Sequence, residues 1–162
     1  MKKIVLAIAA CLLLSSPSMA TTEVDLSEKL KLRVSAANQK IMTIESSELK
    51  KWIDEEDKEF ILLDVREANE IAAGKIEADN YMSIPRGLVE MQFIRKVKET
   101  DKTVVVYCLK GSRGALAAEA LTDLGYSDIY NLKGGVLEWI NAGFTVSNFL
   151  GEFELQNFES NF

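Results

Sequence analysis

The chain has 162 residues, with 25 Asp and Glu against 19 Lys and Arg, two cysteines and no histidine. A net charge of −6 argues against nucleic acid and against stable association with an anionic membrane, because both repel an acidic surface. Without histidine most metal-site readings lapse, no cofactor is implied, and a cysteine nucleophile has no imidazole to take its proton.

Residues 1–20 read as an export signal. Lys2 and Lys3 form a charged start, and Ile4 to Leu14 is an apolar run too short to span a bilayer. Ser15-Ser16-Pro17 breaks that run, and Ser18-Met19-Ala20 is a small-x-small cleavage site. The expectation is cleavage after Ala20 and a periplasmic location. The alternatives are an uncleaved anchor and a lipoprotein box at Ile8-Ala9-Ala10-Cys11. Cleavage removes Lys2, Lys3 and Cys11, so the remainder is more acidic and Cys108 is its lone cysteine. A lone thiol in an oxidising compartment is a liability unless it is buried or has work to do.

Residues 21–41 are polar and mixed in charge and read as an N-terminal extension, a tether with a short helix from Ser27. The domain is expected over residues 42–145. Ser46 or Ser47 is placed to cap a helix through Leu49, Trp52 and Ile53. Phe60 to Asp64 is a short buried strand, and Arg66 to Ala72 a helical turn or two closed by Gly74. Asn80 to Ile84 is a strand stopped by Pro85. Gly87 to Val97 carries Leu88, Met91 and Ile94 at helical spacing, a stripe that Val97 continues.

The central stretch follows. Thr103 to Tyr107 is β-branched and apolar, a buried strand, and Ala115 onward is rich in Ala and Leu, a helix to about Leu124 stopped by Gly125. Asp128 to Asn131 is another strand. Leu132-Lys133-Gly134-Gly135 turns into a last helix, Val136 to Asn141, and the two tryptophans are expected to pack on helix faces. Residues 146–162 form a tail with Phe149, Phe153, Phe158 and Phe162. Part of it is expected to pack on the domain or on a second copy, which leaves a homo-oligomer through the tail open.

Alternating strands and helices give an α/β domain with a mostly parallel sheet and helices on both faces. Sites in such sheets lie beyond the carboxyl ends of the strands, where Asp64 and Cys108 stand. Cys108 opens the loop Cys108-Leu109-Lys110-Gly111-Ser112-Arg113 and a helix follows. A helix N-terminus leaves N–H groups unpaired and favours an anion held over it. The bland reading of Cys108 is a buried packing thiol. The bland reading of Asp64-Val65-Arg66-Glu67 is a weak ion pair at a helix start, and that of Leu132-Lys133-Gly134-Gly135 is a plain turn at the rim.

Four segments in order carry a family resemblance: Leu63-Asp64-Val65-Arg66-Glu67, Asn80 to Pro85, Val106 to Arg113, and Leu132 to Trp139. Together they resemble the single-domain rhodaneses over about residues 42 to 145. The resemblance implies a rhodanese-like α/β fold, a five-stranded parallel sheet flanked by helices on both faces, and sulfurtransferase chemistry through a Cys108 persulfide. Gly74-Lys75-Ile76 stands where the family often has a histidine, and Asp79 follows the small residue Ala78.

In that chemistry a thiolate attacks the outer sulfur of a small anionic donor such as thiosulfate, sulfite leaves, and cyanide or a thiol accepts the sulfur. A helix N-terminus and nearby cations favour a thiolate. Cys108 is the expected nucleophile. Lys110 and Arg113 supply cations within the loop, and Leu109, Gly111 and Ser112 line it. Arg66 adds charge at the mouth. Asp64 and Glu67 support the adjoining turn, and Gly111 and Gly114 let the backbone bend so that amides point inward. Phosphatases and arsenate reductases on this fold use Cys-x5-Arg, one residue longer than the Cys-x4-Arg here. A non-enzymatic persulfide carrier or binding module has the same loop and stays open, whereas an inactive interaction domain usually lacks the cysteine.

Overall fold

A computed structural model describes residues 25–55 and 58–155. The export signal with its cleavage site, the lipoprotein alternative, and Phe158 and Phe162 of the tail lie outside the described residues. Among those described, no helix is long and apolar enough to cross a membrane.

Five parallel strands form one sheet: β1 (Met42–Ile44), β2 (Ile61–Asp64), β3 (Tyr81–Ser83), β4 (Val104–Tyr107) and β5 (Ile129–Leu132), in the order β1-β5-β4-β2-β3. The β-branched run predicted to be central is central, and all four residues of β4 are buried. Its alternating side chains feed two cores. Val104 and Val106 face a layer with Leu63, Phe93, Ala117, Ala118 and Leu121. Val105 and Tyr107 face the other, with Ile44, Leu49, Leu62, Val136 and Trp139. Helices therefore cover both faces. The helices α4 (Val89–Lys96) and α5 (Ser112–Asp123) lie on one, and α2 (Ser46–Asp54) and α6 (Gly135–Asn141) on the other.

Several local expectations change. The helix α2 starts after Glu45, which makes no side-chain cap, and Ser46 is its first residue. The turn closed by Gly74 is α3 (Ala68–Ala73). Gly74 is extended rather than left-handed, and a Cβ there would come 3.1 Å from Val146 Cγ2. In α4 the buried stripe is Val89 and Phe93, continued by Val97, while Leu88, Met91 and Ile94 are exposed. Both stripes have helical spacing. A 3₁₀ turn at Arg86–Leu88 sets which of them meets the sheet.

The N-terminal extension is no tether. Residues Leu26–Asn38 form α1, capped by Asp25, whose carboxylate accepts from Ser27 N at 2.9 Å. The helix packs on α5 with Ala37 buried. Arg33 and, at 2.9 Å, Lys40 pair with Glu119 of α5. The tail also folds, as a hairpin of β6 (Val146–Asn148) and β7 (Gly151–Phe153), tied to the domain by Lys75 and Ser147. Val146 and Phe153 join the second core, while Phe149 and Leu150 at the hairpin tip stay exposed.

Candidate active site

At the carboxyl end of β4 the chain leaves the sheet at Cys108 and re-enters regular structure at α5. The turn needs a left-handed residue, and Gly111 supplies it at φ 93°. That backbone brings the Gly111 N–H to 3.2 Å from Cys108 Sγ. Cys108 is itself 1% exposed and packs against the first core. Burial alone suits a packing thiol; an amide aimed at the sulfur from the residue that caps a helix is what packing leaves unexplained.

The cations divide sharply. Arg66 was expected at the mouth, yet it is 2% exposed. Its Nε donates to Asp64 Oδ1 at 3.0 Å, and its Nη2 donates to Asp64 Oδ2 at 2.6 Å and to Gly74 O at 2.9 Å. A cation in a buried site requires such partners, so Arg66 braces the end of β2 rather than binding a donor. Asp64 is the hub of that brace, accepting also from Arg66 N at 3.0 Å and Tyr81 Oη at 3.3 Å. Burial pushes the neighbouring Tyr107 phenol well up, with Asp64 adding to the effect.

Arg113 is also engaged. Its Nη1 and Nη2 donate to Glu70 Oε2 and Oε1 at 2.7 and 2.5 Å, a two-pronged pair. The bond from Arg113 holds the Glu70 carboxyl down at about 2, and Glu70 raises Arg113 in turn. Glu70, not Glu67, is the acid that reaches the loop. The exposed Glu67 gives its backbone N–H to Glu70 Oε2 at 3.0 Å. Lys110 is exposed, and among the described residues it makes no ion pair. It lines a cavity of about 370 Å³ with Gly111, Ser112, Asn131 and, from α1, Val34 and Asn38. Of the three cations expected to meet a donor, Lys110 is the one left available.

Gly114 serves a purpose other than bending. It lies inside α5, and a Cβ there would come 2.3 Å from Asn131 Oδ1. The Gly134-Gly135 turn is more than a rim. Val136 N donates to Cys108 O at 2.8 Å and Leu137 N to Leu109 O at 3.1 Å, so the start of α6 clamps the cysteine loop. Gly135, at φ 63°, is where the two meet; a Cβ on it would lie 2.4 Å from Cys108 O. Glu70, Asn131 and this clamp were not read from the sequence. The Asp64-x-Arg66-x3-Glu70 spacing was the one signal available, and the capping pattern of Glu67 and Glu70 accounts for it locally.

A profile of the rhodanese-like domain matches residues 45–142. A mitochondrial protein of Schizosaccharomyces pombe, named as a candidate thiosulfate sulfurtransferase, is 38% identical over 94 residues, which is 51% of this chain and 65% of that protein. A sulfurtransferase of Allochromatium vinosum is 33% identical over 88 residues, 54% of this chain and 78% of that one. Among solved structures, the polysulfide-sulfur transferase homodimer of Wolinella succinogenes matches with a TM-score of 0.63 at 28% identity, covering 86% of this chain and all of that one. With the five-stranded parallel sheet, the loop opened by Cys108 and a profile match over more than half its length, this chain belongs to the rhodanese-like domain family.

Proposed function

We propose that this protein is a sulfurtransferase that carries a sulfane sulfur as a persulfide on Cys108. It takes the sulfur from thiosulfate or a similar small anion and passes it to cyanide or a thiol, in the periplasm after removal of residues 1–20. The observation that carries the reading is the Gly111 N–H held 3.2 Å from Cys108 Sγ at the start of α5.

The step runs through Sγ as a thiolate, stabilised by that amide and the helix N-terminus. Sγ attacks the outer sulfur of thiosulfate, an Sγ–S bond forms, the S–S bond of the donor breaks, and sulfite leaves with the electron pair. Cyanide then attacks the outer sulfur, the Sγ–S bond breaks, and thiocyanate leaves with Sγ again a thiolate. Lys110 supplies the cation that attracts a dianionic donor. With Cys108 1% exposed, a slender inorganic donor suits the loop better than a bulky organic one. The names of the Schizosaccharomyces, Allochromatium and Wolinella relatives support sulfur transfer, and the first of them names thiosulfate.

Purified protein given thiosulfate and cyanide should release thiocyanate, and intact mass after thiosulfate alone should rise by one sulfur atom. Cys108→Ser should abolish both; thiocyanate release that persists in that variant refutes the assignment. Mass gain without thiocyanate release indicates a carrier, and hydrolysis of para-nitrophenyl phosphate a phosphatase.

A further inference from the structure

Asn131 lies in β5 beneath the cysteine loop and is 3% exposed. Its Nδ2 donates to Gly111 O at 3.2 Å. Its Oδ1 is buried and has no hydrogen-bond partner among the described residues. A buried amide oxygen without a partner is costly, and a leucine of similar size would carry no such cost. Room for that oxygen exists because residue 114 is glycine, since a Cβ there would come 2.3 Å from Oδ1. Two positions are thus adapted to an amide that packing does not call for.

The contact falls on one of three loop carbonyls that accept bonds from α6 or β5. Val136 N binds Cys108 O, Leu137 N binds Leu109 O, and Asn131 Nδ2 binds Gly111 O, which also accepts from Ala115 N at 2.8 Å. Among the described residues no peptide bond is cis, and in a trans peptide the N–H points opposite to the carbonyl. Carbonyls drawn toward β5 and α6 therefore turn the N–H groups of Leu109, Lys110 and Ser112 the other way. The first two carbonyls are held by the backbone of α6, which any sequence there supplies. The third carries a helical bond from Ala115 N and, in addition, the side-chain bond from Asn131.

We propose that Asn131 is a positioning residue: it holds the Gly111 carbonyl and so fixes the Gly111–Ser112 peptide beside the one amide, Gly111 N–H, that meets the sulfur of Cys108. Its use in sulfur transfer rests on the function proposed above, but the test does not. The full chain is alkylated with iodoacetamide across a pH series, with modification at Cys108 read by peptide mass spectrometry and thermal unfolding measured alongside.

Asn131→Leu should raise the alkylation midpoint by about one pH unit, the effect of about one hydrogen bond to a thiolate, with the melting temperature unchanged or higher. A midpoint that does not move overturns the proposal, whatever the melting temperature does. Should the leucine variant fail to fold, Asn131→Ala carries the same test. Gly114→Ala should unfold or weaken the protein by its clash with Oδ1, and adding Asn131→Ala should restore folding but not the wild-type midpoint; restoration of both overturns the proposal. A shifted midpoint in a protein that gains no sulfur from thiosulfate leaves Asn131 as assigned and defeats the sulfurtransferase reading instead.

Discussion

Glu70→Gln tests how the far end of the loop is held. The wild-type carboxyl titrates at about 2 against an ordinary 4.5, because Arg113 is bonded to it. At about 1.4 kcal/mol per pH unit the whole shift corresponds to ~3 kcal/mol. The side chains of Arg113 and Glu70 are 35% and 23% exposed, so solvent screens the pair and about 1–1.5 kcal/mol is expected, above the ~0–1 kcal/mol of a fully exposed pair. The sign follows from linkage: folding lowers the carboxyl pKa, so the stabilisation is complete above about pH 4.5 and is lost as the pH falls toward about 2. Urea unfolding of wild type, Glu70→Gln, Arg113→Gln and the double variant should give a coupling of ~1 kcal/mol at neutral pH, shrinking below about pH 4.5. Coupling near zero at neutrality, or undiminished in acid, would show that the two-pronged pair does not hold α5 in place.

Three further outcomes are expected. Lys110→Ala should weaken use of thiosulfate more than it weakens reaction of Cys108 with neutral iodoacetamide, compared by second-order rate constants; equal losses would remove Lys110 as the donor's cation. Gly135→Ala places a methyl 2.4 Å from Cys108 O at a left-handed position and should cost about 2 kcal/mol or more in urea unfolding, with thiocyanate formation falling as the loop is displaced. Glu119→Ala removes the partner of Arg33 and Lys40, so amide exchange across Leu26–Asn38 should quicken while β4 stays protected; unchanged protection would mean that Ala37 packing alone docks α1.

The order of elements was legible in the chain because each signal is local. The β-branched run at Val104–Val106, the Ala-rich helix after it and the Pro85 and Gly125 stops act through neighbours a few residues away, and four such motifs in order identify the family. The loop spacing from Cys108 to Arg113 is local as well, as is the left-handed turn at Gly111. What lay beyond reach was set by groups far apart in sequence. Arg113 meets Glu70, 43 residues away, and Asn131 meets Gly111 across 20. The buried stripe of α4 is Val89 and Phe93 rather than Leu88, Met91 and Ile94, because two apolar stripes compete and only the entry of the chain from β3 chooses between them. Arg66 looks like a surface cation until the fold closes over it and Asp64 becomes its partner. The first strand is three residues long with two of them exposed, too short for alternation to register, and α1 gains its place from another helix, α5, where Ala37 is buried and Glu119 pairs with Arg33 and Lys40. Local chemistry thus decides which segments form and where the sulfur stands. Which charges remain free to act on that sulfur is decided by tertiary packing, because a charge is neutralised by whatever the folded chain brings within reach.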